Sequence, residues 1–366
     1  MKIAILGTRG IPNNYGGFEQ NAENLSVHWV KKGHEVVVYN TDEHPYKQKE
    51  WNGVKIKHIF ARESKLGIWG TCIYDFLCLK DAISEDFDII LNMGYVPSAL
   101  FFSLKKRTKA KFVTNMDGLE WKRAKWNNFL KKFIKFCERR AIILSDALIS
   151  DNLGIRDYYM MVYDKNSYYI PYGATLFNDP DEKILEKFSL KKFSYYMLVA
   201  RLEPENNIET ILDGYVMSRA SEPFIVVGRT NTKFGRYLTK KYMNNHKIEF
   251  VGAIYDYSVL STLRWYSKLY FHGHSVGGTN PSLLEAMASN AFIAAHENPF
   301  NRYVLGNDAF YFKTTKDVAS IIRRYNDDFR EVFIHNNRRK IKEIYNWEKV
   351  SEDYLRVFQH VCEGGK

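Results

Sequence analysis

The sequence predicts an α/β fold of two doubly wound domains facing a central cleft, each a largely parallel sheet with helices on both faces. Three observations carry that prediction. Short apolar runs alternate with stretches of helical period. The alternation lapses in a polar stretch around Asp179-Pro180-Asp181 and then restarts. The 366-residue length suits two domains, each with its own core.

In the first half, strands are predicted at 2–6, 36–39, 54–60, 88–91, 111–114, 147–150 and 168–171. The first strand runs into a glycine-rich loop, 7–17. Beyond it Phe18, Ala22, Leu25 and Trp29 recur at close to 3.6 residues, which predicts a helix over 18–31 with Gly33 as its stop. After the polar stretch, strands are predicted at 196–200, 224–228, 248–251, 269–272 and 292–295, with a helix from Ile208. The chain from Trp347 reads as a helix that packs back toward the first domain. The domains are therefore placed at 1–178 and 179–346, both Rossmann-like, with 347–366 as the returning helix.

Composition bounds the function. With 45% apolar and 15% aromatic residues, the chain is globular. Cys72, Cys78, Cys137 and Cys362 match no metal spacing and no disulfide framework, so a cytoplasmic, reduced protein is expected. The opening apolar run 3–6 is too short for a signal peptide. The uncharged stretch 89–104 is too short to span a membrane and contains Pro97. The net charge of +11 favours acidic partners: nucleic acid, a phosphate-bearing substrate or an anionic membrane. The excess is local, with thirteen Lys/Arg residues against three acids between Lys105 and Arg140.

Three segments carry chemistry. The loop Gly7-Thr8-Arg9-Gly10-Ile11-Pro12-Asn13-Asn14-Tyr15-Gly16-Gly17 precedes a helix, whose N-terminus favours negative charge, while glycines admit a ligand close to the backbone. Its spacing is wrong for a dinucleotide turn and no ribose-binding acid follows, so a sugar or phosphate at a cleft mouth is the better occupant. The second segment is His272-Gly273-His274-Ser275-Val276-Gly277-Gly278-Thr279-Asn280-Pro281-Ser282-Leu283-Leu284-Glu285. It follows a strand, and Pro281-Ser282 opens a helix whose first-turn N–H groups would hold a diphosphate. Glu285, about one turn in, would reach hydroxyls of a ribose or hexose. The third segment is Asn115-Met116-Asp117-Gly118, where Asp117 either orients a sugar or stabilises an oxocarbenium-like centre, or else caps the segment that follows. Glu19 competes with it for the acceptor-side role.

The run Asn280-Pro281-Ser282-Leu283-Leu284-Glu285-Ala286-Met287-Ala288 resembles the donor-site signature of retaining family 4 glycosyltransferases, which have the GT-B fold. Val199-Ala200-Arg201-Leu202-Glu203-Pro204-Glu205-Asn206-Asn207-Ile208 is similar to their phosphate-binding loop. Tyr169-Ile170-Pro171-Tyr172-Gly173 resembles the strand end that closes their first domain. The opening, 2–19, looks like the subgroup that includes bacterial rhamnosyltransferases of surface-polysaccharide assembly. The resemblance covers nearly the whole chain in the family's motif order.

That resemblance implies a site. Arg201, Asn206, Arg229, His274, Gly277, Gly278, Thr279, Asn280, Pro281, Ser282 and Glu285 would bind the donor. Arg9, Gly10, Asn14, Tyr15, Gly16, Gly17, Glu19 and Asp117 would face the acceptor. Asp117, Glu285 and Arg201 would carry the catalysis. Asp117 stands where many relatives have a histidine beside the sugar. Two positions depart from the family pattern. The first acid of its Glu-x7-Glu pair falls at Gly277, and its phosphate lysine falls at Asn206. Arg201 alone can still fork onto phosphate oxygens, with Arg229 as a second charge and His274 covering part of the missing glutamate's role.

The segment 123–140 reads as a basic amphipathic helix with Trp126, Phe129, Leu130, Phe133, Ile134 and Cys137 as its apolar stripe. Such a stripe ordinarily packs into the domain. The functional version keeps it packed and turns the basic flank to anionic lipid, near a lipid-linked acceptor. Asp86-Phe87-Asp88 and Asp179-Pro180-Asp181 match the Asp-x-Asp of metal-dependent transferases. One precedes a buried strand and the other lies in the linker, so no metal is expected.

The expected activity is metal-independent, retaining transfer of a sugar, L-rhamnose from dTDP-rhamnose, onto a glycan or lipid-linked saccharide in polysaccharide biosynthesis. The nucleotide sugar is a co-substrate, and no cofactor is expected. The expected location is cytoplasmic, peripheral at the inner face of the plasma membrane. A UDP- or GDP-hexose transferase is the near alternative, and an epimerase or phosphorylase shares the fold. A catalytically inactive glycan-binding protein, or a nucleic-acid-binding one prompted by charge, stands as the different class. No nucleic-acid motif supports the last.

Overall fold

The computed structural model describes residues 1–14, 16–123 and 126–365. The chain divides into two compact units, Met1–Tyr172 together with Trp347–Lys366, and Gly173–Asn346.

The first unit holds an eight-stranded sheet: β1 (Lys2–Leu6), β2 (Glu35–Thr41), β3 (Glu50–Trp51), β4 (Val54–Ile59), β5 (Ile89–Met93), β6 (Lys111–Asn115), β7 (Ala147–Ser150) and β8 (Tyr168–Tyr169). Their order is β3-β4-β2-β1-β5-β6-β7-β8, and every pair is parallel except β3 with β4. Ile3 on β1 lies opposite Val36 and Ile89, so the centre of the sheet is a layer of branched side chains without exposure. The strand order reverses at β1 and β5, and in open α/β sheets ligands bind outside the carboxyl ends of strands at such a reversal.

The helix Gly17–Lys31 buries Ala22, Leu25 and Trp29 against this sheet. The Trp29 ring meets Phe358 at 5.2 Å and Tyr354 at 5.9 Å, and its indole N–H donates to the Ser351 carbonyl at 3.1 Å. The final helix, Trp347–Cys362, thereby completes the core of the first unit. The short hairpin strand β3 escapes the sequence reading, being a two-residue polar edge without an apolar run.

The second unit is a six-stranded parallel sheet: β9 (Tyr196–Val199), β10 (Phe224–Val227), β11 (Ile248–Gly252), β12 (Leu269–His272), β13 (Ile293–His296) and β14 (Phe310–Phe312). The order β11-β10-β9-β12-β13-β14 reverses between β9 and β12. Tyr196, Phe224 and Phe271 pack across β9, β10 and β12, with Phe224 and Phe271 centroids 5.7 Å apart. The helices Ile208–Ser218 and Thr315–Arg323 press together at Gly214, where a Cβ would lie 2.4 Å from the Cβ of Val318.

Residues 173–178, placed with the first domain by sequence, lie in the second unit. The Ala174 N–H donates to the Tyr345 carbonyl at 2.6 Å and the Phe177 N–H to Ala288 at 3.1 Å. Their backbone is bonded to that unit before the polar stretch around Asp181 begins, so polarity alone marked the boundary about six residues late.

Candidate active site

In the second unit, the residues expected at the donor come from the carboxyl ends of β9, β10 and β12. After β9 the chain passes through Arg201 and a single turn, Pro204–Asn206, into the helix Ile208–Ser218. After β12 it runs from Gly273 through Gly278 into the helix Pro281–Ala288. The two loops interlock. The Asn207 amide donates to the Gly273 carbonyl at 2.8 Å, and the Ser275 hydroxyl donates to the Glu205 carbonyl at 2.7 Å. A Cβ on Gly273 would stand 2.0 Å from the Asn206 carbonyl oxygen, so only glycine allows this approach.

Arg201 is exposed and makes no side-chain hydrogen bond or ion pair among the described residues. A fork of five N–H donors thus stands at the strand ends. Asn206 is different. It is buried, and its amide donates to the Arg201 carbonyl at 2.7 Å, so it shapes the loop that presents Arg201. Arg229 follows β10, exposed, with its Nε donating to the Tyr255 hydroxyl at 2.6 Å.

The first turn of the Pro281–Ala288 helix corrects an expectation. Pro281 has no N–H, Ser282 N–H donates to the Asn280 side chain at 3.0 Å, and Leu283 N–H donates to the Asn280 carbonyl at 3.0 Å. These donors are engaged within the helix, which leaves the preceding glycines to meet an anion. Gly277 has a φ of +123° with open space where a Cβ would stand. A small hollow there is lined by His274, Ser275, Val276, Gly277, Gly278, Asn280, Phe300 and Asn301. Thr279 is buried beside it.

Four residues that the sequence reading did not assign to the site support it. Arg264, from the helix Tyr257–Trp265, has no exposure and forms an ion pair with Glu285 at 2.9 Å. Burial works against the charge on Arg264, and the Glu285 carboxylate upholds it. His272 is buried with its ring stacked on His274, centroids 4.4 Å apart, and neither ring nitrogen has a partner among the described residues. Burial, then the neighbouring His274, hold its pKa well below the ordinary value, so the ring is neutral. The amides of Asn298 and Asn301 both donate to the His274 carbonyl at 3.1 Å, clamping the loop from the β13 side. A charge inside an otherwise uncharged helix was the one available signal for Arg264.

In the first unit, the residues expected to face the acceptor gather at the ends of β1 and β6. The Arg9 N–H donates to the buried Glu19 carboxylate at 2.8 Å, and the Arg9 guanidinium pairs with Glu63 at 2.9 Å. Glu19 therefore pins the loop from the helix Gly17–Lys31. The Asn40 side chain does the same from β2, accepting from Ile11 N–H at 3.0 Å and donating to its carbonyl at 2.8 Å. Gly10, at φ +123°, leaves the space that the Asn40 side chain fills. Asn14 is exposed, and Gly16 and Gly17 begin the helix without a side-chain cap. Tyr15 lies outside the described residues.

Asp117 follows β6 with φ +54°, a left-handed conformation that Asp and Asn tolerate better than most residues. Its N–H donates to Asn115 Oδ1 at 3.0 Å, and Asn115 Nδ2 donates to the Tyr354 hydroxyl at 2.8 Å. The short 3₁₀ turn Glu120–Lys122 has no side-chain cap from Leu119, and the helix Asn128–Leu144 is capped by Asn127. Burial, and after it the charges of Asp117 and Asp151, raise the Tyr172 hydroxyl far above its usual range, which places both carboxylates near that ring.

The segment 123–140, of which 124 and 125 lie outside the described residues, also departs from the reading. Ile134 and Cys137 are buried as a packed stripe requires, but Phe129 is 78% exposed. Glu138 has no exposure and accepts from the hydroxyls of Tyr95, Tyr158 and Tyr163 and from Lys135. Lys135 stands 4.8 Å from the centre of the Trp121 ring and 5.0 Å from that of Tyr158, so this lysine faces protein. Of the two Asp-x-Asp motifs, Asp88 accepts the Lys2 N–H at 2.7 Å and Asp181 the Lys183 N–H at 3.0 Å. Among the described residues no group of three or more His, Cys, Asp or Glu side chains could hold a metal ion. None of their helices is long and apolar enough to cross a membrane.

The chain resembles known families over nearly its whole length. Residues 1–175 match a domain of unknown function (DUF1972), and residues 180–353 match glycosyl transferases group 1. Over 99% of both chains it is 23% identical to an uncharacterized glycosyltransferase of Methanocaldococcus jannaschii. Sucrose-phosphate synthase from Thermosynechococcus elongatus superposes with a TM-score of 0.81 at 14% identity, covering 100% of both chains. Anabaena HepE in complex with UDP and glucose superposes with a TM-score of 0.78 at 12% identity, covering 98% of this chain and 99% of its own. Residues 180–353 thus resemble the glycosyl transferases group 1, and the chain has the two-domain GT-B fold.

Proposed function

We propose that the protein transfers L-rhamnose from dTDP-rhamnose to a glycan or lipid-linked saccharide, with retention and without a metal ion, in polysaccharide assembly at the inner face of the plasma membrane. The observation that carries the donor half is the interlocked pair of loops after β9 and β12, which sets the uncommitted guanidinium of Arg201 and the open backbone of Gly277 at the carboxyl end of the sheet.

In this reading Arg201 and the loop amides take the diphosphate, and Glu285, steadied by Arg264, takes donor hydroxyls. As the leaving diphosphate gains charge, Arg201 stabilises it more strongly than it does the ground state, which is the differential binding that speeds the step. The freed diphosphate oxygen is a base for the acceptor hydroxyl. Asp117 orients the sugar on the acceptor side. No step calls for a cofactor.

A uridine nucleotide is the second reading, because the GT-B neighbour HepE is seen with UDP and glucose. A thermal-shift screen with dTDP, UDP, GDP and their sugar conjugates, in EDTA, decides. A ligand at a hundred times its dissociation constant stabilises by roughly 2.7 kcal/mol. The proposal expects a shift with dTDP and dTDP-rhamnose that Arg201→Ala abolishes. A shift with UDP-sugars alone selects the second reading. Retention is read from the anomeric configuration of the product.

A further inference from the structure

Several of the exposed large apolar residues of the first unit share two helix faces. On the helix Asn128–Leu144, Phe129, Lys132, Phe136, Arg139 and Ile143 follow one another at intervals of three and four, so they share one face. That face is turned outward: Phe129 is 78% exposed, Phe136 52% and Ile143 64%. On the helix Ile68–Ser84, Trp69 (72% exposed), Ile73, Phe76 and Lys80 form a second outward face at the same kind of spacing.

The two faces adjoin. Phe76 packs edge-on against Phe101, in the turn Ser98–Arg107, with centroids 5.2 Å apart. The Arg140 guanidinium, on the helix Asn128–Leu144, donates to the carbonyls of Ala99 and Leu100 in the same turn at 3.0 and 3.2 Å. Burial, then the thiol of Cys72, push the Cys137 thiol up to about 12, which sets the helices side by side at Cys72 and Cys137. Ile73 and Phe136 are the next residues along.

The charges on this surface have one sign. Within the two helices and the turn, Asp75 and Glu138 are buried and Asp81 is paired with Lys57 at 2.6 Å. Lys80, Lys106, Arg107, Lys132 and Arg139 are exposed. An open hollow of about 620 Å³ at the edge, lined in part by Leu77, Lys80, Ile83 and Arg107, continues the same mixture of apolar wall and cation. A soluble partner of ordinary surface composition would leave five cations without counter-charges. A surface of anionic headgroups over acyl chains meets both the cations and the aromatic side chains, which settle at such interfaces.

We propose that the face formed by Ile68–Ser84, Ser98–Arg107 and Asn128–Leu144 docks the protein on an anionic lipid bilayer, with Trp69, Phe129 and Phe136 entering the interface and Lys80, Lys132 and Arg139 meeting headgroup phosphates. The inference deepens the proposed function, resting on it for the lipid-linked acceptor but not for lipid binding itself.

Full-length protein is sedimented with vesicles of phosphatidylcholine, alone or with one-third phosphatidylglycerol, and donor hydrolysis is followed in parallel without lipid. The proposal expects sedimentation with the anionic vesicles only. K132E/R139E should weaken it by roughly thirtyfold, at about 1 kcal/mol per cation near the surface. F129S/F136S should weaken it at least about tenfold, through lost apolar burial. Both variants should keep the melting temperature and donor hydrolysis of the parent, because these side chains are exposed. Equal binding to both vesicle types, or to neither, overturns the proposal. So does a dimer that F129S/F136S dissolves while vesicles are ignored, or RNA binding that those changes leave intact. Loss of donor hydrolysis in the parent protein, with vesicle binding retained, overturns the transferase assignment and leaves the docking face standing.

Discussion

Arg264, with no solvent exposure, forms an ion pair at 2.9 Å with Glu285, whose side chain is 19% exposed at the edge of the donor loop. The pair joins a packing residue to the residue proposed to take donor hydroxyls. A guanidinium enclosed by the core needs its counter-charge, and the counter-charge can point only where the guanidinium holds it.

That asymmetry makes the first prediction directional. Glu285→Gln leaves a buried charge unpaired and is expected to destabilise by roughly 3–5 kcal/mol, whereas Arg264→Met leaves only a partly exposed carboxylate and costs less. The double variant R264M/E285Q should be more stable than E285Q alone. Urea unfolding of the four proteins measures this, and an additive cycle would sink the coupling. Arg264→Met should also raise the dissociation constant for the nucleotide sugar more than that for the bare nucleotide.

Asp117 tests the chemistry apart from the backbone. Asn accepts the same left-handed conformation and keeps the N–H that donates to Asn115, so Asp117→Asn preserves the turn while removing the charge. If the carboxylate acts on the sugar, kcat falls on the order of 100-fold with the melting temperature unchanged. A variant with full kcat would leave Asp117 a conformational residue only.

How much of this was legible in the sequence depends on the range of the interaction concerned. Strands such as β1 and β12 announced themselves, because a buried parallel strand is a short apolar run whatever surrounds it. The loop after β12 was readable from its glycines. Three features were not. The commitment of the first-turn N–H groups to Asn280 needs the cap geometry. The pinning of the 7–17 loop by Asn40 and Glu19 is a contact across the fold that spacing does not encode. The outward turn of Phe129 and Phe136 contradicts the usual rule that an apolar stripe faces a core, and a helix period cannot say which way a stripe faces.

Asp75, buried on the helix Ile68–Ser84, gives a pH signature. Burial pushes its carboxyl up to about 8, although the Arg9 guanidinium pulls the other way. In the unfolded chain an aspartate titrates near 3.9. Between about pH 4 and 8 the native state therefore keeps a proton that the unfolded state has released. The contribution of this group to stability is whole below that window and falls with rising pH, by at most about 1.4 kcal/mol per unit. Asp75→Asn removes the dependence. Its urea midpoint should exceed that of the parent at pH 8 and converge on it toward pH 5. A gap that widens on acidification would have the wrong sign.

The last prediction concerns the returning helix. Tyr354, fully buried, accepts from Asn115 Nδ2 at 2.8 Å, and Asn115 Oδ1 in turn accepts the N–H of Asp117 at 3.0 Å. A residue near the end of the chain thus orients, through one asparagine, the turn that carries Asp117. Tyr354→Phe keeps the ring that packs on Trp29 and removes only the hydroxyl, leaving the Asn115 amide short of an acceptor. An unsatisfied buried amide costs about 1–3 kcal/mol, so the melting temperature should fall. If the hydroxyl also fixes the Asp117 turn, kcat for transfer should fall while the nucleotide's dissociation constant, proposed to be set in the second unit, stays at the parental value. Equal losses in both would mean general loosening, and a lower melting temperature with unchanged kcat would confine Tyr354 to the core.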